Sequence, residues 1–124
     1  MYYVSIIDYV SKLATVMESP ILSLDQSNFD DAISKNSLIL LDFWAPWCGP
    51  CKQLNPLLEE LAVKHQPSLV VGKINVDDTP SLAKKYSVRG IPTLILVHHG
   101  DVVATHVGLP SLEQLESMIS EATA

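Results

Sequence analysis

The apolar positions of this 124-residue chain change period several times, and each change marks an element. Leu38-Ile39-Leu40-Leu41, continued by Asp42-Phe43-Trp44, is a nearly unbroken apolar run. That is the pattern of a central strand buried on both faces. Ile21–Leu24 and Leu69–Asn75 read as further strands. From about Gly49 to His65, Leu54, Leu57, Leu58, Leu61 and Ala62 recur at helical spacing. On this helix Glu60 and Lys64 form an i,i+4 pair. Pro56 lies inside it and is expected to kink it by clashing with the carbonyl of Lys52. Ser27 or Asn28 would cap a short helix through Asp30–Lys35, with Phe29 and Ile33 on one face. Thr79-Pro80 opens another helix, to Tyr86, with threonine as cap and proline in the first turn. Thr93–Val97 and Val102–Val107 flank His98-His99-Gly100-Asp101 as a hairpin. Ser111 and Gln114 have capping-box spacing for a last helix, with Leu112, Leu115, Met118 and Ile119 as its buried stripe. The order β-α-β-α-β-α-β-β-α predicts an α/β fold, a mixed central β-sheet flanked by helices on both faces.

Composition narrows the function classes. A hydrophobic content of 48% with 18% charged residues argues against disorder, and the length suits one domain. The net charge of −6 argues against nucleic acid as a partner. No run reaches the length a membrane-spanning helix needs, so no stable membrane association is expected. Residues 1–16 place Tyr2, Ile6, Tyr9, Leu13 and Val16 at helical spacing. They lack the basic start and small-residue cleavage site of a secretory signal. They are expected to be either an upstream start or an amphipathic helix that docks on a domain spanning residues 17–124.

The chemistry concentrates at Trp47-Cys48-Gly49-Pro50-Cys51, which holds both cysteines of the chain. Two thiols three apart at a strand-to-helix junction suit dithiol–disulfide exchange. With a helix starting near Gly49, Cys48 lies at its N-cap, facing unpaired N–H groups and the positive end of the dipole. Both favour the thiolate, the form that attacks a disulfide. Cys51, one turn in, is expected to be more shielded, which makes Cys48 the attacking and Cys51 the resolving thiol. Pro50 fits the first turn, where its missing N–H costs little, and Gly49 leaves room for an approaching disulfide. Side chains three apart on a helix have Cβ atoms about 5–6 Å apart, close enough to the disulfide mean of about 3.8 Å to close and reopen. A zinc half-site is the competing reading. Zinc needs about four ligands, and His65, His98, His99 and His106 form no ligand-spaced motif, so no metal is expected.

Asp42-Phe43-Trp44-Ala45-Pro46-Trp47-Cys48-Gly49-Pro50-Cys51-Lys52 resembles the active-site segment of the thioredoxin family, and Arg89-Gly90-Ile91-Pro92-Thr93 resembles its second signature. The resemblance spans roughly residues 21–124 and implies the thioredoxin fold and a general protein disulfide reductase. It further implies that Asp42 lies buried behind Cys51 as its base, with Lys73 as its neighbour; the strand pattern alone also allows Asp42 at an exposed strand end. It implies a cis Ile91–Pro92 bond and a substrate groove formed by Trp47, Gly49, Pro50, Ile91, Pro92, Thr93, Val107 and Gly108. Of the two tryptophans, Trp44 is the better core candidate and Trp47 the surface one. By the same resemblance no cofactor is bound, the active group is a redox-active disulfide, and electrons come from NADPH through a thioredoxin reductase. Partners would be that reductase and disulfide-containing proteins, and a cytoplasmic monomer is expected. Two other readings share the fold: an exported oxidase or isomerase, and a redox-independent binding subunit using the Trp47–Pro92–Gly108 surface.

Overall fold

Alternation along the central strand decides the layering. The computed structural model describes residues 20–124. Its elements are β1 (Leu22–Leu24), α1 (Phe29–Lys35), β2 (Leu38–Trp44), α2 (Gly49–His65), β3 (Val70–Asn75), α3 (Pro80–Lys85), β4 (Thr93–His98), β5 (Asp101–Val107) and α4 (Leu112–Thr123). They follow the order the periodicity predicts. The five strands lie in the order β1-β3-β2-β4-β5. β3 pairs parallel with β1 and β2, and β4 pairs antiparallel with β2 and β5.

Successive β2 side chains point to opposite faces. Leu38 and Leu40 join Leu54, Leu58 and Leu61 of α2 and Leu115 of α4 in one core. Ile39, Leu41 and Phe43 join Phe29 and Ala32 of α1 and Leu82 of α3 in the other. Each such buried side chain contributes about 1.5–3 kcal/mol. The two cores are why the run is apolar at consecutive positions. By the same alternation Asp42 falls on the α2 side.

Several local expectations need correction. Asn28 and Thr79 stand at the N-caps of α1 and α3, but neither side chain caps its helix. The Asn28 amide instead ties the preceding loop, accepting from Asp25 N and donating to Ser23 O. Lys64 pairs across the interface rather than along its helix: its Nζ donates to Glu116 Oε1 of α4 at 3.1 Å, and His65 Nε2 lies 2.8 Å from Glu116 Oε2. Pro56 does lie inside α2, as expected, and the helix spans Gly49 to His65 on both sides of it. The hairpin loop is two residues, His99-Gly100, both with positive φ, so the strands reach one residue further on each side than expected. That is the type I′ signature, whose twist matches the flanking strands. The Ser111–Gln114 capping box is present.

Gly72 is a position whose meaning only packing reveals. A Cβ there would lie 2.4 Å from Leu24 Cδ1 and 3.0 Å from Leu24 Cγ. Leu24 is buried, so it has little room to yield. Gly72→Ala is therefore expected to destabilise the fold by about 1–3 kcal/mol through overpacking. Urea unfolding checks this, and an unshifted midpoint would mean that Leu24 can rotate away.

Candidate active site

The β2–α2 junction places the cysteines. Trp44 ends the strand, and the Cys48 N–H donates to Ala45 O at 3.1 Å, closing a tight turn into the helix. Cys48 is the N-cap residue of α2, and its Sγ accepts from Cys51 N at 3.2 Å. An N-cap normally uses a side-chain oxygen for this contact. Here sulfur takes that place, so the helix terminus acts on the reactive atom itself. Pro50 occupies the first turn, where its missing N–H leaves nothing unsatisfied. No atom comes within 4 Å of a Cβ built on Gly49, so its backbone faces open space.

Cys48 and Cys51 are joined as a disulfide with Cα atoms 5.3 Å apart. Both are buried, at 4% and 2% exposure, so shielding separates them less than the helical position suggests. What distinguishes them is electrostatic: Cys48 alone sits at the positive terminus.

The turn before β4 comes to the same end of the sheet. Thr93 opens β4 opposite Phe43 in β2 and opposite Val107 in β5, so the preceding Ile91-Pro92 segment lies beside the β2–α2 junction. The Ile91–Pro92 bond is cis, as the family resemblance implies, and Gln66–Pro67 is a second cis bond that nothing in the pattern announces. Thr93 Oγ1 donates to Gly90 O, and Gly108 N donates to Pro92 O at 2.8 Å. Gly108 needs to be glycine for a backbone reason, its φ of +95°. Trp47 is 70% exposed, while Trp44 is only half-buried. The Trp47 indole is nonetheless fixed, because Nε1 donates to Asp77 Oδ2 at 3.0 Å. Its ring borders an apolar depression that also includes Val76, Val88 and Ile91.

Asp42, on the α2 side of β2, is wholly buried rather than at an exposed strand end. Neither carboxylate oxygen has a protein hydrogen-bond partner among the described residues. Burial raises its pKa to about 7, against the opposing pull of Lys73. Lys73 faces it in register across the β2–β3 pair. The Lys73 ammonium donates to Asn55 Oδ1 and stands 4.6 Å from the Trp44 ring centroid.

Asp42, Thr93 and Val107 are tied to one end of the sheet by strand register, whereas His98 and His99 lie at the opposite end of β4, in the hairpin turn. The sequence reading missed Asn55 and Asp77. Asn55 had a usable signal, since it is four residues after Cys51 and therefore on the same helical face. Asp77 had none, because its contact with Trp47 spans thirty positions. Among the described residues no group of three or more His, Cys, Asp or Glu could hold a metal, and no helix is long and apolar enough to cross a membrane.

Comparison with known proteins agrees with this geometry. The family model described as Thioredoxin matches residues 20–121. The chain is 41% identical over 102 residues to a thioredoxin of Buchnera aphidicola, covering 82% of this chain and 94% of that protein. It is 42% identical over 104 residues to a thioredoxin of Haemophilus influenzae, covering 83% and 97%. A solved structure of a mutant thioredoxin from Halobacterium salinarum superposes with a TM-score of 0.78 at 41% identity, covering 87% of this chain and 96% of that one. Matched over most of its length by such relatives and carrying a cysteine pair bonded at the head of α2, the chain belongs to the thioredoxin family, and it is a dithiol–disulfide oxidoreductase of the protein-disulfide-reductase kind.

Proposed function

We propose that the reduced protein attacks substrate disulfides through Cys48 and releases them through Cys51. The observation that carries this division of labour is the Cys51 N–H aimed at Cys48 Sγ at the N-cap of α2. It favours negative charge on Cys48 sulfur and not on Cys51. The Cys48 thiolate bonds to one substrate sulfur, and the other substrate sulfur leaves with the electron pair of the broken bond. Asp42 then accepts the Cys51 proton. The Cys51 thiolate attacks Cys48 Sγ, the mixed disulfide breaks, and the second substrate sulfur leaves as thiolate. The substrate gains two electrons, and the protein keeps the Cys48–Cys51 disulfide.

Lys73 tempers the proton affinity of Asp42, whose raised pKa suits a base working near neutral pH. Trp47, Gly49, Pro50, Ile91, Pro92, Thr93, Val107 and Gly108 form the groove that receives an extended substrate chain, with backbone groups of the Ile91–Pro92 turn available for pairing. A thioredoxin reductase drawing on NADPH returns the disulfide to the dithiol. The protein works as a cytoplasmic monomer on disulfide-containing proteins, and residues 17–124 form the working domain.

Reductase-coupled NADPH consumption with a disulfide protein as substrate tests this reading. Turnover is expected from the whole chain and, at a similar rate, from residues 17–124. Absence of turnover in both would refute the reductase partnership. A fall in melting temperature of more than about 5 °C on removing residues 1–16, on the order of 1 kcal/mol, would instead make that segment part of the fold.

A further inference from the structure

Lys73 and Asp42 are opposite charges placed side by side, yet they do not touch. Their strands are parallel and in register, and alternation sends both side chains toward α2. No ion pair joins them within 4.0 Å, although pairing would relieve a buried carboxylate of much of its desolvation cost. The Lys73 ammonium is occupied elsewhere. It donates to Asn55 Oδ1 and lies over the Trp44 ring. Trp44 is two residues beyond Asp42 on the same face of β2, and Asn55 is one helical turn beyond Cys51 on α2. The amide is therefore interposed between the helix that carries the resolving thiol and the strand that carries the lysine.

We propose that Asn55 is a positioning residue. Its side-chain carbonyl holds the Lys73 ammonium off the Asp42 carboxylate and thereby sets how readily Asp42 takes up a proton. This rests on the reading of Asp42 as the base for Cys51 only for its kinetic consequence. The geometry is independent of that role. Asn55 is suited to it because a neutral acceptor detains the ammonium without adding a charge that would repel Asp42. Among charged groups, Lys73 of β3 alone acts on Asp42. From β4 the residue paired with Asp42 is Leu94, and on α2 Cys51 is held in the disulfide.

The test is the carboxyl titration of Asp42, followed by carbon-13 NMR in the oxidised protein. Asn55→Ala frees the lysine to pair, so the Asp42 midpoint is expected to fall by about one pH unit, as for a carboxylate that gains a contacting cation. Asn55→Asp keeps the ammonium detained and adds a negative charge nearby, so the midpoint is not expected to fall. Lys73→Met removes the cation and should raise it. A midpoint unchanged or raised by Asn55→Ala, or lowered by Asn55→Asp, would overturn the proposal. The pH profile of the resolving step in the same variants separates the two ideas. If it moves with the carboxyl, Asp42 is the base and Asn55 tunes it. If the carboxyl moves while the profile stays, the positioning role stands and the base assignment fails. Alanine is a better helix former than asparagine, so loss of fold is not expected to obscure the result.

Discussion

Cys51→Ser is expected to accumulate as a covalent adduct with a disulfide substrate, whereas Cys48→Ser is expected to remain unmodified. Serine cannot supply a thiolate, so either change takes turnover to background. The two failures differ in where the reaction stops. With Cys51→Ser, Cys48 keeps its place at the α2 N-cap and still attacks. The mixed disulfide then persists because no second sulfur lies within reach. With Cys48→Ser, the remaining thiol sits inside the first turn rather than at the N-cap, without the terminal N–H groups that favour a thiolate at position 48. Intact-mass spectrometry after mixing with a disulfide protein reads the adduct directly. An adduct on Cys48→Ser, with none on Cys51→Ser, would reverse the assignment.

Asp42→Asn is expected to slow the second step while leaving the first nearly unchanged. Attack by Cys48 draws on the helix terminus, which the substitution does not touch. Resolution draws on a base, and the amide cannot accept a proton. Loss of a positioned base costs about 10²-fold. The deficit should be largest near pH 7 and shrink toward pH 8.5, where a free thiol ionises unaided. Stopped-flow measurement of mixed-disulfide decay from pH 6 to 8.5 decides it, and equal rates would remove Asp42 from the mechanism.

The same substitution should change how stability depends on pH. The folded-state pKa of Asp42, about 7, lies above the usual carboxylate value. Between about pH 4 and pH 7 the folded protein therefore holds a proton that the unfolded chain has released. Stability falls as pH rises through that window and levels off above it, by a total on the order of 4 kcal/mol. Asp42→Asn abolishes this contribution, so the variant should gain on the wild type with rising pH. The buried amide has its own unmet hydrogen bonds, which limits the gain near neutral pH to about 1–3 kcal/mol. Denaturant unfolding of both oxidised proteins at pH 5 and pH 8 measures it. A wild-type protein equally stable at both, relative to the variant, would contradict the raised pKa.

Much of this molecule was legible in the chain because local rules and tertiary demands agree. Leu38–Trp44 is apolar at consecutive positions because both faces of β2 are covered, and that reading needed only the pattern. The Ser111–Gln114 capping box and the start of α2 beside Pro50 follow from short-range chemistry that folding does not override. The cysteine pair announced its reaction through spacing and position alone. Contacts that join distant positions were another matter. The pattern offers Ser27 or Asn28 as the cap of α1, yet Asn28, which takes the N-cap position, ties down the preceding loop instead, since a short polar side chain takes whichever backbone groups the fold brings near. Lys64 had a partner available at i−4, yet it reaches Glu116, which only the packing of α4 against α2 supplies. Gly72 looked like any strand glycine until Leu24 was placed against it. The sequence by itself determined the order of elements, the two-faced core and the redox pair, because these are written in periodicities of a few residues. Only the tertiary structure decided that Trp47 is held by Asp77 and that Lys73 is drawn to Asn55 rather than to the carboxylate beside it. Those arrangements depend on the register of β2 against β3 and on the side of the sheet that α2 covers, which no local pattern encodes.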